Sequence, residues 1–296
     1  MLSYQHVYHA GNHADVLKHI TLMSMLKKLT VKSKPMFYLD THAGSGVYHL
    51  NSEQALKNSE ANTGIKNLND SANHLEGLIA DYLTVVAPYQ QSSQYPGSPM
   101  IADELLRDHD TAFACELHPQ AFNELQSNSK HSIIKAQNRN GFEALKAMLP
   151  PSPNRGMVLI DPPYENAEEY TQVLEQMKVA VKRWPIGSYA IWYPLLSPQR
   201  VDYKSGEIVA NPKAKLSKLM LASLAELPVK SVLNVYFSPS SPSPNTGMYG
   251  SGMCILNPPW QLAEELEELI QQLCSCLSGD ANEYCGVSWL KTEAQK

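Results

Sequence analysis

Short apolar runs recur along the chain and are separated by stretches of helical periodicity. Runs typical of buried strands lie at residues 35–40, 111–116, 132–136, 156–161, 188–193, 230–237 and 251–257. Residues 15–29 instead repeat apolar side chains every three or four positions, which predicts a core-facing helix opened by Asp15. This alternation of strands and helices is typical of an α/β fold with a mostly parallel, doubly wound sheet.

Two segments interrupt the alternation. The last two strand-like runs are joined only by residues 238–250, which are rich in Ser, Pro and Asn. A parallel crossover needs a helix, so these two runs are predicted to form an antiparallel hairpin with a mobile connecting loop. Residues 51–92 are polar, with helical stretches such as 75–86, and we interpret them as a helical insertion in a single domain spanning residues 1–296.

Composition narrows the class of protein. Hydrophobic residues make up 43% of the chain and charged residues 18%, which is typical of a folded globular protein. The net charge of -5 argues against a generally basic nucleic-acid binder, so any polyanion must be held by a local patch. The candidate residues for such a patch are Lys27, Lys28, Lys32, Lys34, Lys213, Lys215 and Lys218. Lysine clusters of this kind are more often solvated surface.

Cysteine usage and the N-terminal sequence bear on location. The cysteines are odd in number and lack C-x-x-C spacing, which argues against a disulfide framework and a zinc site. The N-terminus has polar residues where a signal peptide has an apolar core, and no run nears the roughly 18 apolar residues of a membrane span. We therefore expect a cytoplasmic protein with no membrane partner and no bound metal.

An acid and two glycines follow the first strand-like run. Asp40 ends the run, and Gly44 and Gly46 allow the backbone to approach a ligand closely. A dinucleotide fingerprint would need a third glycine where His49 stands, which weakens a nicotinamide cofactor. A plain tight turn between strand and helix is the alternative. Glu116 ends a later strand, where its carboxylate could accept hydrogen bonds from both ribose hydroxyls of a nucleoside cofactor.

Asn140 and Gly141 follow the run at residues 132–136. The polar side chain of Asn140 is a candidate for contact with the adenine edge of such a cofactor. An Asn-Gly turn selected for left-handed backbone angles would explain the pair equally well.

The run at 156–160 leads into Asp161-Pro162-Pro163-Tyr164, the sharpest chemical signal in the chain. Two prolines stiffen the backbone and remove two N–H donors. The Asp161 carboxylate and the Pro162 carbonyl can each accept one N–H of an exocyclic amine, which aims its lone pair at a methyl sulfonium. Tyr164 offers a flat surface to a base turned out of its stack. A Pro-Pro turn after a central strand is the alternative.

A second copy of this pattern, Asn257-Pro258-Pro259-Trp260, also follows a strand-like run. Both copies cannot hold the same base. The helical pattern that starts at Gln261 favours a structural interpretation, in which the prolines begin a helix and Asn257 caps it.

Histidines crowd the first nineteen residues, at positions 6, 9, 13 and 19. No carboxylate or cysteine stands at matching helical spacing, which argues against a metal site. We instead expect Lys18 and His19, beside Asn12 and His13 at a helix start, to supply donors for the carboxylate of a cofactor's methionine part. Tyr4 could lie near the substrate base.

Several blocks of the chain together resemble one known family. They are residues 1–4 (MLSY), 9–19 (HAGNHADVLKH), 40–44 (DTHAG), 95–99 (YPGSP) and 161–164 (DPPY). In these blocks the chain closely resembles the bacterial RlmJ family of large-subunit ribosomal RNA adenine-N6 methyltransferases. The resemblance spans nearly the whole chain. It implies a Rossmann-like methyltransferase fold that uses S-adenosyl-L-methionine, acts on naked 23S ribosomal RNA and works as a monomer.

The resemblance also implies which residues form the site. Asp161 would be catalytic, and Tyr4 would lie close to the substrate. The chain departs from the family at Asn140, where an aspartate is usual, and residues 198–215 and 238–250 fit the family poorly and could touch RNA. The residues implied to line the cofactor pocket are His19, His42, Ser98, Glu116, Asn140, Gly141 and Asp161.

Three other functions remain open from the sequence. DNA adenine-N6 methylation uses the same tetrapeptide. Methylation of a protein glutamine presents the same planar amide chemistry, although Asn is then more usual at the first motif position. A catalytically idle RNA-binding protein could keep the pocket for structural reasons.

Overall fold

The computed structural model describes residues 6–71, 74–202, 204–278 and 284–293. Its strands, in chain order, are β1 (Phe37–Asp40), β2 (Val47–His49), β3 (Gln94–Pro96), β4 (Thr111–Glu116), β5 (Ile134–Asn138), β6 (Gly156–Ile160), β7 (Ser188–Leu196), β8 (Gln199–Val201), β9 (Ile208–Ala210), β10 (Val232–Phe237), β11 (Met248–Leu256) and β12 (Gly286–Lys291).

The α-helices of the same ranges are α1 (His13–Thr30), α2 (Glu53–Asn58), α3 (Ile65–Asp70), α4 (Gly77–Gln90), α5 (Ser98–Asp103), α6 (Pro119–Asn128), α7 (Gly141–Met148), α8 (Ala167–Arg183), α9 (Leu216–Ala225) and α10 (Leu262–Leu277). Two short 3-10 helices, His6–Tyr8 and Glu60–Thr63, accompany them.

Eight strands form one central sheet in the order β12-β10-β11-β7-β6-β1-β4-β5. Strands β1, β4, β5, β6 and β7 pair in parallel, and β11 pairs antiparallel with both β7 and β10. The predicted mostly parallel sheet and its antiparallel hairpin are therefore confirmed. Strand β12, which pairs antiparallel with β10 at the sheet edge, was not predicted because its half-exposed residues give no apolar run.

Helices cover both faces of the sheet, and successive side chains of one strand point to opposite faces. Tyr38 of β1 belongs to the apolar cluster that includes α1, α4 and α10. Its neighbours Phe37 and Leu39 belong to the cluster that includes α7, α8 and α9. The indole of Trp184, at the end of α8, meets the Phe37 ring edge-on with centroids 6.3 Å apart. The result is the three-layer arrangement of Rossmann-like proteins.

Helix α1 is buried over its first fourteen residues because the sheet and other helices enclose it. It begins earlier than the pattern predicted. The side chain of Asn12, and not that of Asp15, caps it by accepting hydrogen bonds from the backbone N–H of Ala14 and Asp15. The Asp15 carboxylate is consequently available for contacts at the site.

Residues 51–92 leave and re-enter the fold at one place, because β2 and β3 flank them and pair antiparallel. Their described residues form α2, α3, α4 and a 3-10 helix, with no strand among them. The segment packs on the N-terminal residues: Ile65 N donates to Gly11 O at 2.9 Å, and a Cβ on Gly64 would lie 2.4 Å from the Asn12 carbonyl carbon. These contacts support its interpretation as a helical insertion.

The second proline motif lies beyond the opposite ends of the strands from the first, because β11 runs antiparallel to β7 and β6 runs parallel to it. Asn257 follows the end of β11, beside the start of β7, whereas Asp161 follows the end of the parallel strand β6. The Asn257 amide donates to the carbonyls of Pro185 and Gly187 at 2.9 and 2.8 Å. Helix α10 begins only at Leu262, so the prediction that Asn257 caps it was wrong. The residue instead ties two loops together.

No helix of the described ranges is long and apolar enough to cross a membrane. Within those ranges, no group of three or more His, Cys, Asp or Glu side chains is placed to hold a metal ion.

Candidate active site

A cavity of about 1480 Å³ opens at the carboxyl ends of the parallel strands. From β1 the chain proceeds outward to β4 and β5 and then returns to β6 on the other side of β1. At such a switch point the loops diverge and leave a crevice, the usual ligand site of open α/β sheets. Tyr4 lies outside the described residues. The other predicted residues all line this cavity, and they are Lys18, His19, His42, Gly44, Ser98, Glu116, Asn140, Gly141, Asp161, Pro162 and Tyr164.

The turn after β1 has the backbone conformation for which its glycines were noted. Gly44 and Gly46 have φ angles of 61° and 76°, which side-chain-bearing residues rarely adopt. A Cβ on Gly44 would also lie 2.0 Å from the Tyr48 hydroxyl oxygen. Glu116 Oε2 accepts from Gly44 N at 2.9 Å, and its Oε1 accepts from His118 N at 2.7 Å. The carboxylate is thus fixed beside the turn, with lone pairs left for a ligand.

Buried polar groups support the turn from below. Asp40 is fully buried and accepts from Ser98 Oγ at 2.6 Å and from His42 N at 3.2 Å. Burial raises the pKa of Asp40 to about 6, although the Ser98 hydroxyl opposes the shift. The His42 ring meets Phe142 edge-on, and burial lowers the pKa of His42 to about 4. The imidazole is therefore neutral at pH 7.

Asn140 and Gly141 open α7 and do not form a left-handed turn. Asn140 has a φ of -64°, and its side-chain oxygen caps the helix by accepting from Phe142 N at 2.9 Å. Gly141 lies against the turn after β1, where an added Cβ would be 1.9 Å from the Thr41 carbonyl oxygen. The glycine is required by this close approach, and it brings the Asn140 side chain to the cavity.

We expect Gly141→Ala to destabilise the fold by about 2–4 kcal/mol, because the new methyl group meets rigid backbone. Thermal unfolding measures the effect. Gly247→Ala is the matched control, since a Cβ there would meet nothing within 4 Å. Equal melting temperatures for the two variants would contradict the close packing of α7 against the turn.

A chain of charged side chains links α1 to the motif after β6. Lys18 Nζ lies 2.8 Å from Asp15 Oδ1 and 2.6 Å from Asp161 Oδ2. Burial alone would lower the pKa of Lys18, but the two carboxylates outweigh it and hold the pKa well above its ordinary value. Asp15 also accepts from Gly11 N and lies 2.9 Å from His6 Nε2. Lys18 was predicted to bind a cofactor carboxylate. In the structure it binds the carboxylate of Asp161.

The rest of the tetrapeptide is tightly held. Pro162 is buried, and Tyr164, at a φ of 50°, is 3% exposed and donates its hydroxyl to Trp192 O at 2.9 Å. Lys213 Nζ donates to the carbonyls of Tyr164 and Glu165 at 3.2 and 2.9 Å. The expected flat face of Tyr164 is largely covered in this structure, so the ring contributes a packed wall of the cavity.

His19 ends a buried chain of hydrogen bonds. Its Nδ1 lies 2.9 Å from the Tyr95 hydroxyl, which lies 2.7 Å from the Tyr82 hydroxyl. Burial lowers the pKa of His19 to about 3, so the ring is neutral. Its Nε2 is buried and has no hydrogen-bond partner within the described parts of the chain. When Tyr95 donates to Nδ1, the His19 tautomer carries its proton on Nε2 and offers a donor.

The two groups of candidate lysines differ in their relation to the site. Lys27 and Lys28 lie in the last turn of α1, far from its first turn at the cavity, and pair with Asp81 and Glu265. Lys213 alone of the candidates lines the cavity. Acidic partners distant in sequence thus neutralise Lys27 and Lys28, which agrees with the interpretation of this group as solvated surface.

A family model described as ribosomal RNA large subunit methyltransferase D, RlmJ, matches residues 33–291. This chain belongs to the RlmJ family. Two relatives carry the name ribosomal RNA large subunit methyltransferase J. The Haemophilus influenzae protein is 38% identical and the Escherichia coli protein 37% identical, each over 99% of this chain and 100% of its own length.

A solved structure has the same fold as this RlmJ chain. A Legionella pneumophila protein is 31% identical and superposes with a TM-score of 0.82, over 97% of this chain and 99% of that chain. The resemblance noted in the sequence is confirmed, and with it the Rossmann-like methyltransferase fold.

Some contacts of this RlmJ site were not predicted from the sequence. His9 and Asn12 each lie 2.9 Å from a Glu60 carboxylate oxygen, so the insertion holds the N-terminal segment at the cavity. Residues 245–247, in the loop between β10 and β11, and Met248, the first residue of β11, also line the cavity. This loop was expected as a possible RNA contact, but its position at the cavity follows from the sheet order and has no signal in the sequence.

Proposed function

We propose that this chain transfers a methyl group from S-adenosyl-L-methionine to the exocyclic N6 of an adenosine in naked 23S ribosomal RNA, acting as a cytoplasmic monomer. One observation carries the proposal. The Asp161 carboxylate is fixed by Lys18 at the end of β6 and lines the same cavity as the glycine turn and the Glu116 carboxylate. Asp161, the proposed acceptor for the amine, and Glu116, the proposed acceptor for the ribose hydroxyls, thus line the same cavity.

The residues of the cavity fit this cofactor. Glu116, which lines the cavity, would accept from the ribose hydroxyls, and Asn140, which also lines it, would meet the adenine edge. The buried Nε2 of His19, which has no partner among the described residues, offers a donor to the carboxylate of the methionine part. The cofactor supplies an electrophilic methyl group on a sulfonium.

Asp161 and Pro162 orient the nucleophile. Lys18 binds Asp161 Oδ2, which leaves Oδ1 to accept one N–H of the adenine amine while the Pro162 carbonyl accepts the other. Two acceptors fixed on a stiff Pro-Pro backbone turn the amine lone pair out of conjugation with the ring. The carboxylate also stabilises the positive charge that develops on N6 during transfer.

Turning the base out of its stack costs a few kcal/mol, which contacts inside the cavity must offset. Tyr164 and Trp192 supply aromatic wall, with ring centroids 5.9 Å apart. Tyr4 is proposed to lie close to the base. Lys213, held by the carbonyls after the motif, places a cation at the cavity for the RNA backbone.

A parallel transfer assay tests the proposal. Labelled methyl donor is incubated with the protein and with protein-free 23S ribosomal RNA, plasmid DNA or release-factor protein. We expect label in the RNA alone. Label in DNA or in the release factor would replace the proposed substrate, and label in none of them would favour a binding protein without activity.

A further inference from the structure

His13 is a buried polar side chain whose presence the proposed function does not explain. It is the first residue of α1, lines the cavity and is 7% exposed. Neither ring nitrogen has a hydrogen-bond partner in the described ranges, and both are shielded from solvent. A buried polar group without a partner destabilises the free protein. An apolar side chain would avoid this cost, so the imidazole points to a partner that arrives with a ligand.

The ring is neutral and lies among acidic groups. Burial lowers the pKa of His13 to about 4, although the Glu60 and Asp15 carboxylates oppose the shift. A neutral imidazole has one donor and one acceptor nitrogen. The nearby carboxylates disfavour a phosphate at this place, so the matching ligand group is uncharged.

The sheet order places His13 on the substrate side of Asp161. The His13 ring meets Phe237, the last residue of β10, with centroids 6.4 Å apart. The proposed cofactor residues follow β1, β4 and β5, and Asp161 follows β6, which lies between them and β10 in the sheet. Asp161 therefore lies between the glycine turn and any ligand group that contacts His13.

We propose that His13 binds the target nucleoside through a neutral group, either the ribose 2′-hydroxyl or a ring nitrogen of the adenine. This inference rests on the proposed function. The amine of the base is taken by Asp161 and Pro162, which leaves the sugar hydroxyls and the ring nitrogens as partners. A 2′-hydroxyl contact would in addition distinguish RNA from DNA.

The test variant is His13→Phe, which keeps an aromatic ring against Phe237 and removes both nitrogens. We expect an unchanged or higher melting temperature, unchanged cofactor affinity in titration calorimetry, and kcat/KM for 23S RNA lowered roughly 10- to 100-fold. His131→Phe, at an exposed position away from the cavity, is the matched control and should leave all three unchanged.

Modified substrates identify the contact. RNA fragments carry 2′-deoxyadenosine, or deaza analogues that each lack one ring nitrogen, at the methylated position. One of these changes should impair the native protein strongly and the His13→Phe variant hardly at all. Equal effects of every change in both proteins, normal activity of His13→Phe, or loss of cofactor binding would overturn the inference.

Two outcomes separate the role of His13 from the proposed function. If the native protein transfers no methyl group to the RNA, the proposed function and the role of His13 are both wrong. If the native protein is active and His13→Phe matches it, only the assignment of His13 falls.

Discussion

Asp161→Ala is expected to lower kcat for methyl transfer by on the order of 10³-fold or more while leaving cofactor affinity nearly unchanged. The substitution removes the proposed acceptor of the amine, and losing one such group typically costs about 10²–10³-fold. It also removes a negative charge beside the developing positive charge on N6. Lys18 keeps its other partner, Asp15, so the helix that carries it stays in place.

Asn257→Ala is the control for this experiment. It changes the first position of the second proline motif. The Asn257 side chain binds the carbonyls of Pro185 and Gly187, at the opposite end of the strands from Asp161. We expect it to lower the melting temperature and to keep the catalytic rate of the folded protein. Turnover by Asp161→Ala at the native rate, or loss of turnover in folded Asn257→Ala, would show that the wrong motif has been assigned.

The free energy of unfolding is expected to fall steeply as the pH falls from 6.5 to 4.5. Burial lowers the pKa of His13 to about 4, of His19 to about 3 and of His42 to about 4. In the unfolded chain these groups take up protons near pH 6.5, so in this window the unfolded state binds more protons and stability is lost. Each histidine contributes up to roughly 1.4 kcal/mol per pH unit.

Asp40 acts in the opposite sense. Its pKa in the folded protein is about 6, so the folded state takes up a proton there before the unfolded state does, and stability rises as the pH falls. Three histidines against one carboxyl leave a net loss of roughly 3 kcal/mol per pH unit.

Denaturant titrations at several pH values measure this slope. His13→Phe removes one of the three groups and should flatten the slope by roughly 1.4 kcal/mol per pH unit, whereas His131→Phe should not change it. A free energy of unfolding that stays constant between pH 6.5 and 4.5 would contradict the burial of these histidines as neutral groups.

The central strands were predictable because they are continuous apolar runs buried on both faces. The run at 111–116 coincides with β4, and the run at 156–161 extends one residue beyond β6. The first residue of helix α1 was harder to predict than the strands. Asn12 and Asp15 are both good cap residues, and in the structure Asn12 caps α1 while the Asp15 carboxylate contacts Lys18 and His6.

Part of the site was predictable by the same logic, because the ends of parallel strands meet at one edge of the sheet. Gly44, Glu116 and Asp161 could therefore be assigned to one cavity before its geometry was known. The pairing of Lys18 with Asp161 could not, since 143 residues separate them and neither position carries a local signal for the other. An ion pair of this kind depends on tertiary packing, which the hydrophobic periodicity of the sequence does not predict.

Mass spectrometry of the nucleosides and of the nuclease fragments of 23S ribosomal RNA, after reaction with the native protein and with Asp161→Ala, tests the central assignment most directly. We predict N6-methyladenosine at a single position with the native protein and none above background with the variant. A methyl group on another nucleoside or another atom of adenine, or equal N6-methyladenosine from both proteins, would contradict it.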